Sequence, residues 1–384
     1  MLNFEFVNPV KILFGKGQIA QLGKEIPRRA RILLTYGGGS IKANGVYDQV
    51  RAALQGRRLL EYGGIEPNPR METLLPAVEL VRRERINFLL AVGGGSVLDG
   101  TKFIAAAVHF RGDPWDMVVQ GAPLRQAVPL GAVLTLPASG SEMNPFAVIT
   151  NWQRREKLPF GSPLMYPRFS VLDPEVTFSL PLRQIANGIV DAFAHVFEQY
   201  MTFPVNAPLQ DRMAEAILLT LIEEGPKSLA DPSGYDARAN LMWCATMALN
   251  TLIAAGVPQD WATHMIGHEI TALHGLDHGQ TLAVVLPALL EVRREAKREK
   301  LLQYAARVWK LESGTPARRI AGAIARTRAF FEAVGVPTRL SAYGVGPETI
   351  PVIARRLKKR GWTGLGERKE ITPEIVRRIL EASL

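Results

Sequence analysis

The first half of the chain alternates short apolar runs, glycine-rich turns and amphipathic stretches. The same turn, GGGS, occurs at 37–40 and again at 93–96, each time directly after an apolar run. Strand patterns lie at 32–36, 59–62 and 88–92, and helix patterns at 46–55, 71–84 and 97–108. Repetition of strand, turn and helix is typical of βαβ units, which place their strands in parallel. The pattern therefore predicts an N-terminal α/β domain built on a parallel sheet.

The second half of the chain consists of long helical patterns with almost no strand signal. Proline and glycine separate these patterns, as expected between helices. The helix patterns lie at 182–201, 209–224, 237–255, 261–273, 282–300, 316–334, 350–359 and 373–382. We therefore predict two domains, an α/β domain at 1–180 and an all-α domain at 181–384.

Composition narrows the class of protein. Hydrophobic residues make up 47% of the chain and charged residues 21%, which is ordinary for a globular protein with a large core. No apolar run approaches the roughly 18 residues of a membrane span, and the first residues do not resemble a signal peptide. The single cysteine, Cys244, excludes an internal disulfide and favours a reducing, cytoplasmic setting. The net charge of +10 is scattered, which argues against a nucleic-acid partner.

The glycine-rich turns indicate phosphate binding. Glycines after a parallel strand let the backbone approach a phosphate, and the next helix offers free N–H groups. A third such segment, ASGSE at 138–142, follows another apolar run. The alternative is that these are tight turns without a ligand, since none matches the dinucleotide fingerprint GxGxxG. Three similar turns after three strands favour a bound dinucleotide.

The first GGGS turn bears on the choice of cofactor. An NAD-specific site usually places a carboxylate near the adenosine ribose. The segment YGGGSIK has none, and it offers Ser40 and Lys42 instead. We therefore expect a preference for NADP(H).

Histidine and aspartate residues concentrate in two segments of the helical half. Asp191 and His195 are four positions apart, and so are His264 and His268, with His278 just beyond. Residues i and i+4 share one face of a helix, and an aspartate on an apolar helix needs a partner. One metal ion could accept all of these groups, and either Fe²⁺ or Zn²⁺ suits nitrogen and oxygen ligands. The alternative is that each is an ordinary buried, hydrogen-bonded side chain.

Five motifs span essentially the whole chain: ILFGKG, VGGGSVLDGTK, TLPASGSE, DAFAH and THMIGHEITALHGLDHG. Together they resemble the iron-containing (group III) alcohol dehydrogenases. The sequence is most similar to the branch of NADPH-dependent aldehyde reductases and butanol dehydrogenases. The resemblance implies a Rossmann-like domain followed by a helical domain, the dehydroquinate synthase-like architecture.

The resemblance also implies site residues. The metal ligands would be Asp191, His195, His264 and His278, with His268 beside substrate and nicotinamide as a candidate proton relay. His274 resembles a feature of the aldehyde reductase branch, and Glu198 and Asp277 are interpreted as supporting or surface groups. The cofactor-binding residues would be Gly37, Gly38, Gly39, Ser40, Asn68, Gly94, Gly95, Ser96, Asp99, Thr135, Ser139 and Lys157.

We accordingly expect a metal-dependent, reversible reduction of short-chain aldehydes to primary alcohols with NADPH, carried out by a homodimer. One alternative is a lyase of the dehydroquinate synthase type, but the metal-site segments lack the Lys and Arg residues that a phosphorylated acid requires. The other is a nucleotide- and metal-binding protein without turnover.

Overall fold

The computed structural model describes all 384 residues, which form two compact units. The first, called the sheet unit, comprises Val7–Pro181 and Pro232–Thr246. The second, called the helical unit, comprises Met1–Phe6, Leu182–Asp231 and Met247–Leu384. No helix combines the length and the hydropathy needed to cross a lipid bilayer.

The sheet unit contains a six-stranded sheet in which every neighbouring pair of strands is parallel. The unit has eight strands in all: β1 (Lys11–Phe14), β2 (Arg31–Tyr36), β3 (Arg58–Tyr62), β4 (Phe88–Gly94), β5 (Leu130–Leu136), β6 (Phe146–Asn151), β7 (Glu156–Gly161) and β8 (Phe169–Leu172). Their order across the sheet is β1-β8-β5-β4-β2-β3, and β6 and β7 form a separate antiparallel pair. The predicted α/β fold with a parallel sheet is confirmed.

Fifteen α-helices complete the fold, and no strand follows β8. They are α1 (Leu22–Glu25), α2 (Ser40–Ala43), α3 (Val46–Ala53), α4 (Met71–Arg83), α5 (Gly95–Ala107), α6 (Trp115–Val119), α7 (Leu182–Tyr200), α8 (Pro208–Ala230), α9 (Tyr235–Ala248), α10 (Ala262–His274), α11 (His278–Val292), α12 (Arg298–Arg307), α13 (Pro316–Ala333), α14 (Thr349–Lys359) and α15 (Pro373–Glu381). The helical character predicted for the second half is therefore confirmed.

The core of the sheet unit lies on the central strands. β4 and β5 are buried along nearly their whole length, as expected for parallel strands covered on both faces. Phe88 and Phe169 stack with ring centroids 6.1 Å apart. This core fixes the strand ends from which the glycine-rich turns emerge.

The helical unit is organised around α7, which is buried on every side from Ile189 to Tyr200. Stacked and edge-to-face aromatic rings surround Phe193, including Phe197 and Phe331. A helix without an exposed face must satisfy its polar side chains inside the protein. That requirement falls on the histidine and carboxylate side chains of α7.

One predicted helix, at 282–300, is wrong. The structure has two helices there, α11 and α12, separated by residues 293–297. The turn places Lys297 inside the protein, where its ammonium group lies 2.6 Å from Asp260 and donates to the Met201 carbonyl at 2.7 Å. A buried ion pair to a distant segment is invisible to local periodicity, which continues through this stretch.

Candidate cofactor and metal sites

The two GGGS turns lie side by side at the carboxyl edge of the sheet. β2 and β4 are neighbours, with Tyr36 paired with Val92, so the first GGGS turn, after β2, lies beside the second GGGS segment, which ends β4 and begins α5. β3 extends the sheet beyond β2, whereas β5 extends it beyond β4, so the strand order reverses between β2 and β4. In open α/β sheets, ligands bind in the crevice at this reversal. The turns therefore occupy the position expected of a nucleotide site.

Glycine serves two different purposes in these turns. A Cβ on Gly95 would lie 2.3 Å from Ser139 Oγ, so this glycine allows the second and third glycine-rich segments to touch. Around Gly38 nothing lies within 4 Å of an added Cβ, and Gly39 has a left-handed φ of +102°. The first turn thus leaves open backbone to which a phosphate can come close.

Asn68, Ser96 and Lys157 form a connected group within the sheet unit. The Asn68 backbone N–H donates to Ser96 Oγ at 3.3 Å, and Lys157 Nζ donates to Asn68 Oδ1 at 2.8 Å. Asn68 adopts a left-handed φ of +56°. The structure therefore brings together three residues that are distant in sequence and that the family resemblance assigns to cofactor binding.

Asp99, another predicted cofactor-binding residue, forms hydrogen bonds with other residues of the sheet unit. Its carboxylate accepts from Ser141 Oγ at 2.6 Å and from the Val148 backbone N–H at 2.9 Å. Burial raises the pKa of Asp99, against the opposing charge of Lys102. Thr135, on β5, is also buried. These contacts show a structural use for Asp99 in addition to its predicted one.

A carboxylate near the first turn was not found by sequence reasoning. Glu61, on β3, lies 3.4 Å from Lys42 Nζ and accepts from Tyr47 Oη at 2.5 Å. Lys42 also lies over the rings of Tyr36 and Tyr47, 4.9 and 4.8 Å from their centroids. The missed signal was strand pairing, because β3 is hydrogen-bonded to β2 and carries Glu61 to the same edge.

In the helical unit, three imidazoles converge on one carboxylate oxygen. Asp191 Oδ1 lies 3.4 Å from His195 Nδ1, 4.0 Å from His264 Nε2 and 3.7 Å from His278 Nε2. Two ligands at about 2.1 Å from a tetrahedral ion are about 3.4 Å apart, so these separations suit one shared cation. Candidate ligand atoms of Asp191, His195 and His264 all lie within 4.8 Å of one another.

Three different helices supply these side chains. Asp191 and His195 project from α7, His264 from α10, and His278 is the first residue of α11. Burial lowers the pKa of His195 to about 4, so its imidazole is neutral at pH 7 and can act as a ligand. Only His278 keeps appreciable exposure, at 24% of its side chain, which marks the open side of the cluster.

His268 and His274 behave differently. His268 is buried one turn beyond His264, with its ring centroid 5.2 Å from that of His278. His274 is exposed at the end of α10, and its Nε2 lies 2.5 Å from Thr349 Oγ1 of α14. The structure therefore places His268 beside the cluster, whereas His274 contacts α14.

Glu198 and Asp277, the two carboxylates that the sequence analysis interpreted as supporting or surface groups, are both close to these histidines. Glu198 is 2% exposed, and its Oε2 contacts His264 Nδ1. Burial and the nearby Asp260 carboxylate raise the pKa of Glu198, whereas hydrogen bonds from the backbone N–H groups of Thr263 and His264 favour its ionised form. Asp277 caps the N-terminus of α11 in a capping box with Gln280 and accepts from Asn187 Nδ2 at 3.0 Å. Each of them contacts a segment that carries a predicted ligand.

Two glycines next to the histidines were not identified from the sequence. A Cβ on Gly267 would lie 2.8 Å from Thr281 Oγ1, and one on Gly279 would lie 2.5 Å from the Asn187 backbone oxygen. At these two glycines the segments carrying the histidines lie too close to their neighbours to leave room for a side chain. The available signal was their position in the sequence, each directly beside a histidine.

A parallel sheet with glycine-rich turns at the reversal of strand order, together with a helical unit in which one Asp lies beside three His, is typical of an enzyme that uses a nucleotide and a metal ion. The family model for iron-containing alcohol dehydrogenase matches residues 9–174, and that for the C-terminal part of the same family matches 185–384. The chain belongs to the iron-containing alcohol dehydrogenase family and is an oxidoreductase.

Relatives match over the full length. The NADPH-dependent aldehyde reductase YqhD of Escherichia coli is 58% identical, with 100% of both chains covered. The probable NADH-dependent butanol dehydrogenase 1 of Bacillus subtilis is 42% identical, again with 100% of both covered. The crystal structure of NADH-dependent butanol dehydrogenase A from Thermotoga maritima superposes with a TM-score of 0.96 at 36% identity, covering 100% of this chain and 99% of that one.

Proposed function

We propose that this chain reduces short-chain aldehydes to primary alcohols with NADPH, and that it catalyses the reverse oxidation with NADP⁺. The observation that carries the proposal is the convergence of three histidines on Asp191 in a chain of this family. The E. coli relative at 58% identity is named an NADPH-dependent aldehyde reductase, which supports the direction and the cofactor. The reaction is R-CHO + NADPH + H⁺ to R-CH₂OH + NADP⁺.

Asp191, His195, His264 and His278 would hold one divalent ion, Fe²⁺ or Zn²⁺. Such an ion, when bound, supplies Lewis-acid polarisation of a carbonyl oxygen. The chain contributes a buried setting, because Asp191, His195 and His264 are each almost inaccessible to solvent. Excluding water strengthens every charge interaction inside such a site.

His268 is the proposed proton relay. It is buried, follows His264 by one turn of α10, and lies beside His278, the ligand with an exposed edge. A histidine can donate and accept a proton near neutral pH, which suits protonation of a product alkoxide. Removing the imidazole in His268→Asn tests this role.

NADPH would bind along the carboxyl edge of the sheet. The open backbone of Gly38, the Asn68–Ser96–Lys157 group and the N-terminus of α5 support this placement. Lys42 and Ser40 would bind the 2′-phosphate. Lys42 is partly exposed and forms an ion pair with Glu61. The preference for NADPH therefore depends on competition between the 2′-phosphate and the Glu61 carboxylate for Lys42.

The first experiment follows absorbance at 340 nm with butanal and NADPH, using protein stripped by a chelator and reloaded anaerobically with Fe²⁺ or Zn²⁺. We expect turnover to vanish on stripping and to return with at least one metal. Asp191→Asn should prevent recovery. Asp211→Asn, which alters an aspartate paired with Lys300 elsewhere in the helical unit, should allow it. Turnover unaffected by verified metal removal would defeat the proposal.

Cofactor preference is tested by titrating NADPH and NADH into the wild type and Lys42→Ala. We expect NADPH to bind the wild type at least tenfold more tightly, and Lys42→Ala to lose about fivefold or more for NADPH alone, since one charge-assisted contact disappears. Lys24→Ala, on α1, is the matched control. Equal affinity of the wild type for both cofactors would contradict the preference.

We also propose a cytoplasmic homodimer. The family resemblance favours the dimer, and the lone, buried Cys244 fits a reducing compartment. Sedimentation velocity of the metal-loaded protein would show a species of about 84 kDa, twice the 42.2 kDa chain. A monomer at micromolar concentration would contradict it.

A further inference from the structure

We infer that Glu198 is a positioning residue that fixes the tautomer and orientation of His264 for metal binding. This rests on the metal site proposed above. Glu198 is buried near the end of α7, and His264 lies in the first turn of α10. Glu198 Oε2 contacts His264 Nδ1, and its Oε1 accepts from the Thr263 backbone N–H at 2.6 Å. One oxygen of the Glu198 carboxylate therefore accepts from the backbone, and the other faces the His264 ring.

This contact decides which ring nitrogen of His264 can serve as a ligand. A neutral imidazole carries one N–H, and a carboxylate partner places that hydrogen on Nδ1. The lone pair then belongs to Nε2, which is the atom 4.0 Å from Asp191 Oδ1. Metal-ligating histidines commonly donate their other N–H to a carboxylate in this way, and the partner raises the basicity of the ligand.

The carboxylate is itself held in place by the turn that precedes α10. The Asp260 backbone N–H donates to the Glu198 carbonyl at 2.9 Å, and the Asp260 carboxylate accepts from the Ala262 N–H at 2.9 Å. Asp260 in turn lies 2.6 Å from Lys297 Nζ. The start of α10 is therefore tied to α7 through Glu198 on both its backbone and its side chain.

The spacing along α7 agrees with such a role. Asp191, His195 and Glu198 occupy positions i, i+4 and i+7, which lie on one face of a helix. That face meets α10, which carries His264. One stripe of α7 thus supplies two proposed ligands and the group that orients a third.

Glu198→Gln separates an orienting role from simple packing. A glutamine keeps the size of the side chain but has one acceptor and one donor end. If its oxygen faces the Thr263 N–H, its amide N–H₂ faces His264 Nδ1 and favours the tautomer whose Nε2 is protonated. If the glutamine oxygen instead faces His264 Nδ1, the amide NH₂ group faces the Thr263 N–H, and two donors then oppose each other. The first arrangement disfavours the ligating tautomer and the second sets two donors against each other at the start of α10, whereas a packing role would tolerate the substitution.

The test measures Zn²⁺ affinity by competition with a chromophoric chelator, which needs no turnover. We expect the dissociation constant of Glu198→Gln to rise about 10- to 100-fold. Glu215→Gln is the matched control. Glu215 is a buried carboxylate of α8, remote from the histidines, and it accepts a hydrogen bond of 2.9 Å from Tyr200 Oη. Its affinity should stay within about twofold of the wild type. Unchanged affinity in folded Glu198→Gln would overturn the inference.

Two further measurements keep the outcomes separate. If the wild type binds one Zn²⁺ and Asp191→Asn abolishes binding while Glu198→Gln does not, only the role of Glu198 fails. If Asp191→Asn binds like the wild type, the metal site fails as well. Independently of any variant's folding, ¹⁵N-histidine spectra of the zinc-loaded wild type should show His264 protonated on Nδ1, assigned with His264→Asn. Protonation on Nε2 would overturn the inference.

Discussion

Lys102 buries a charged ammonium group inside the sheet unit. Its Nζ donates to Ser141 Oγ at 2.8 Å, to the Asn144 carbonyl at 2.8 Å and to the Phe146 carbonyl at 2.7 Å. Burial lowers the pKa of Lys102 to about 8, although Asp99 and Glu142 oppose the shift. The residue thereby ties α5 to the segment after β5, which carries the third glycine-rich turn.

This buried amine should make stability depend on pH above neutrality. The pKa of Lys102 is about 8 in the folded protein and about 10.4 in an unfolded chain, so between these values the unfolded state binds more protons. The free energy of unfolding of the wild type, relative to Lys102→Met, should therefore rise by about 2 to 3 kcal/mol from pH 7 to pH 10. Urea titrations of both proteins at each pH measure this.

Lys227→Met is the control, because Lys227 is exposed and paired only with Glu224 on its own helix. Its difference from the wild type should stay nearly constant between pH 7 and 10. A constant difference for Lys102→Met as well would show that the pKa of Lys102 is unshifted in the folded protein.

Single residues differ in how well the sequence predicts their roles. The spacing of Asp191 and His195 placed both on one helix face, since helical geometry is local. The acceptors of Lys102 lie 39 to 44 positions away along the chain, so no local pattern indicates that it is buried. Glu61 was missed for the same reason, because it reaches the first turn only through strand pairing.

Helices α7 and α11 touch backbone to backbone. A Cβ on Gly279 would lie 2.5 Å from the Asn187 oxygen and 2.9 Å from its Cα, and neither atom can move without moving α7. Gly279 follows His278, and Asn187 lies one turn before Asp191. The separation of His278 Nε2 and Asp191 Oδ1, 3.7 Å, is therefore set by this approach.

We expect Gly279→Ala to force the two helices apart and to weaken metal binding. Overpacking of this kind costs about 1–3 kcal/mol in stability, and ligands displaced by several tenths of an ångström bind metal less tightly. Zinc affinity should fall at least about tenfold, by the same chelator competition. Gly225→Ala is the control, because the atoms nearest to its Cβ would belong to the Ile189 side chain, the closest at 3.3 Å, rather than to the backbone of a neighbour. Equal losses in both variants would assign the effect to general destabilisation.

Elements were predictable where their signal is local. β2 and β4 emerged from apolar runs, and α7 and α10 from helical periodicity, because turns of glycine or proline bound them. The hairpin of β6 and β7 was not predicted, and Pro159 in β7 weakens its strand signal. The break between α11 and α12 depends on Lys297 and its distant partner Asp260, which periodicity cannot show.

At the scale of the whole molecule, the order of strands and helices indicated the class of fold but not every path of the chain. The helical pattern of α9 lies deep in the second half of the sequence, yet Pro232–Thr246 packs within the sheet unit. There Thr246 Oγ1 donates to Glu142 Oε1 at 2.6 Å. A helical pattern gives the periodicity of a segment but not the neighbour against which it packs.

Since the proposed ligands all lie in the helical unit, metal should stabilise the two units unequally. At a free concentration of about 100 times the dissociation constant, a ligand stabilises the state that binds it by about 2.7 kcal/mol, so amides that exchange through unfolding of the helical unit should slow about 100-fold. Hydrogen–deuterium exchange with and without Zn²⁺ should show this slowing in peptides covering α7, α10 and α11. Peptides covering β2 and β4 should change little, and Asp191→Asn should remove the protection. Equal slowing in the sheet unit, or protection retained in Asp191→Asn, would place the metal elsewhere.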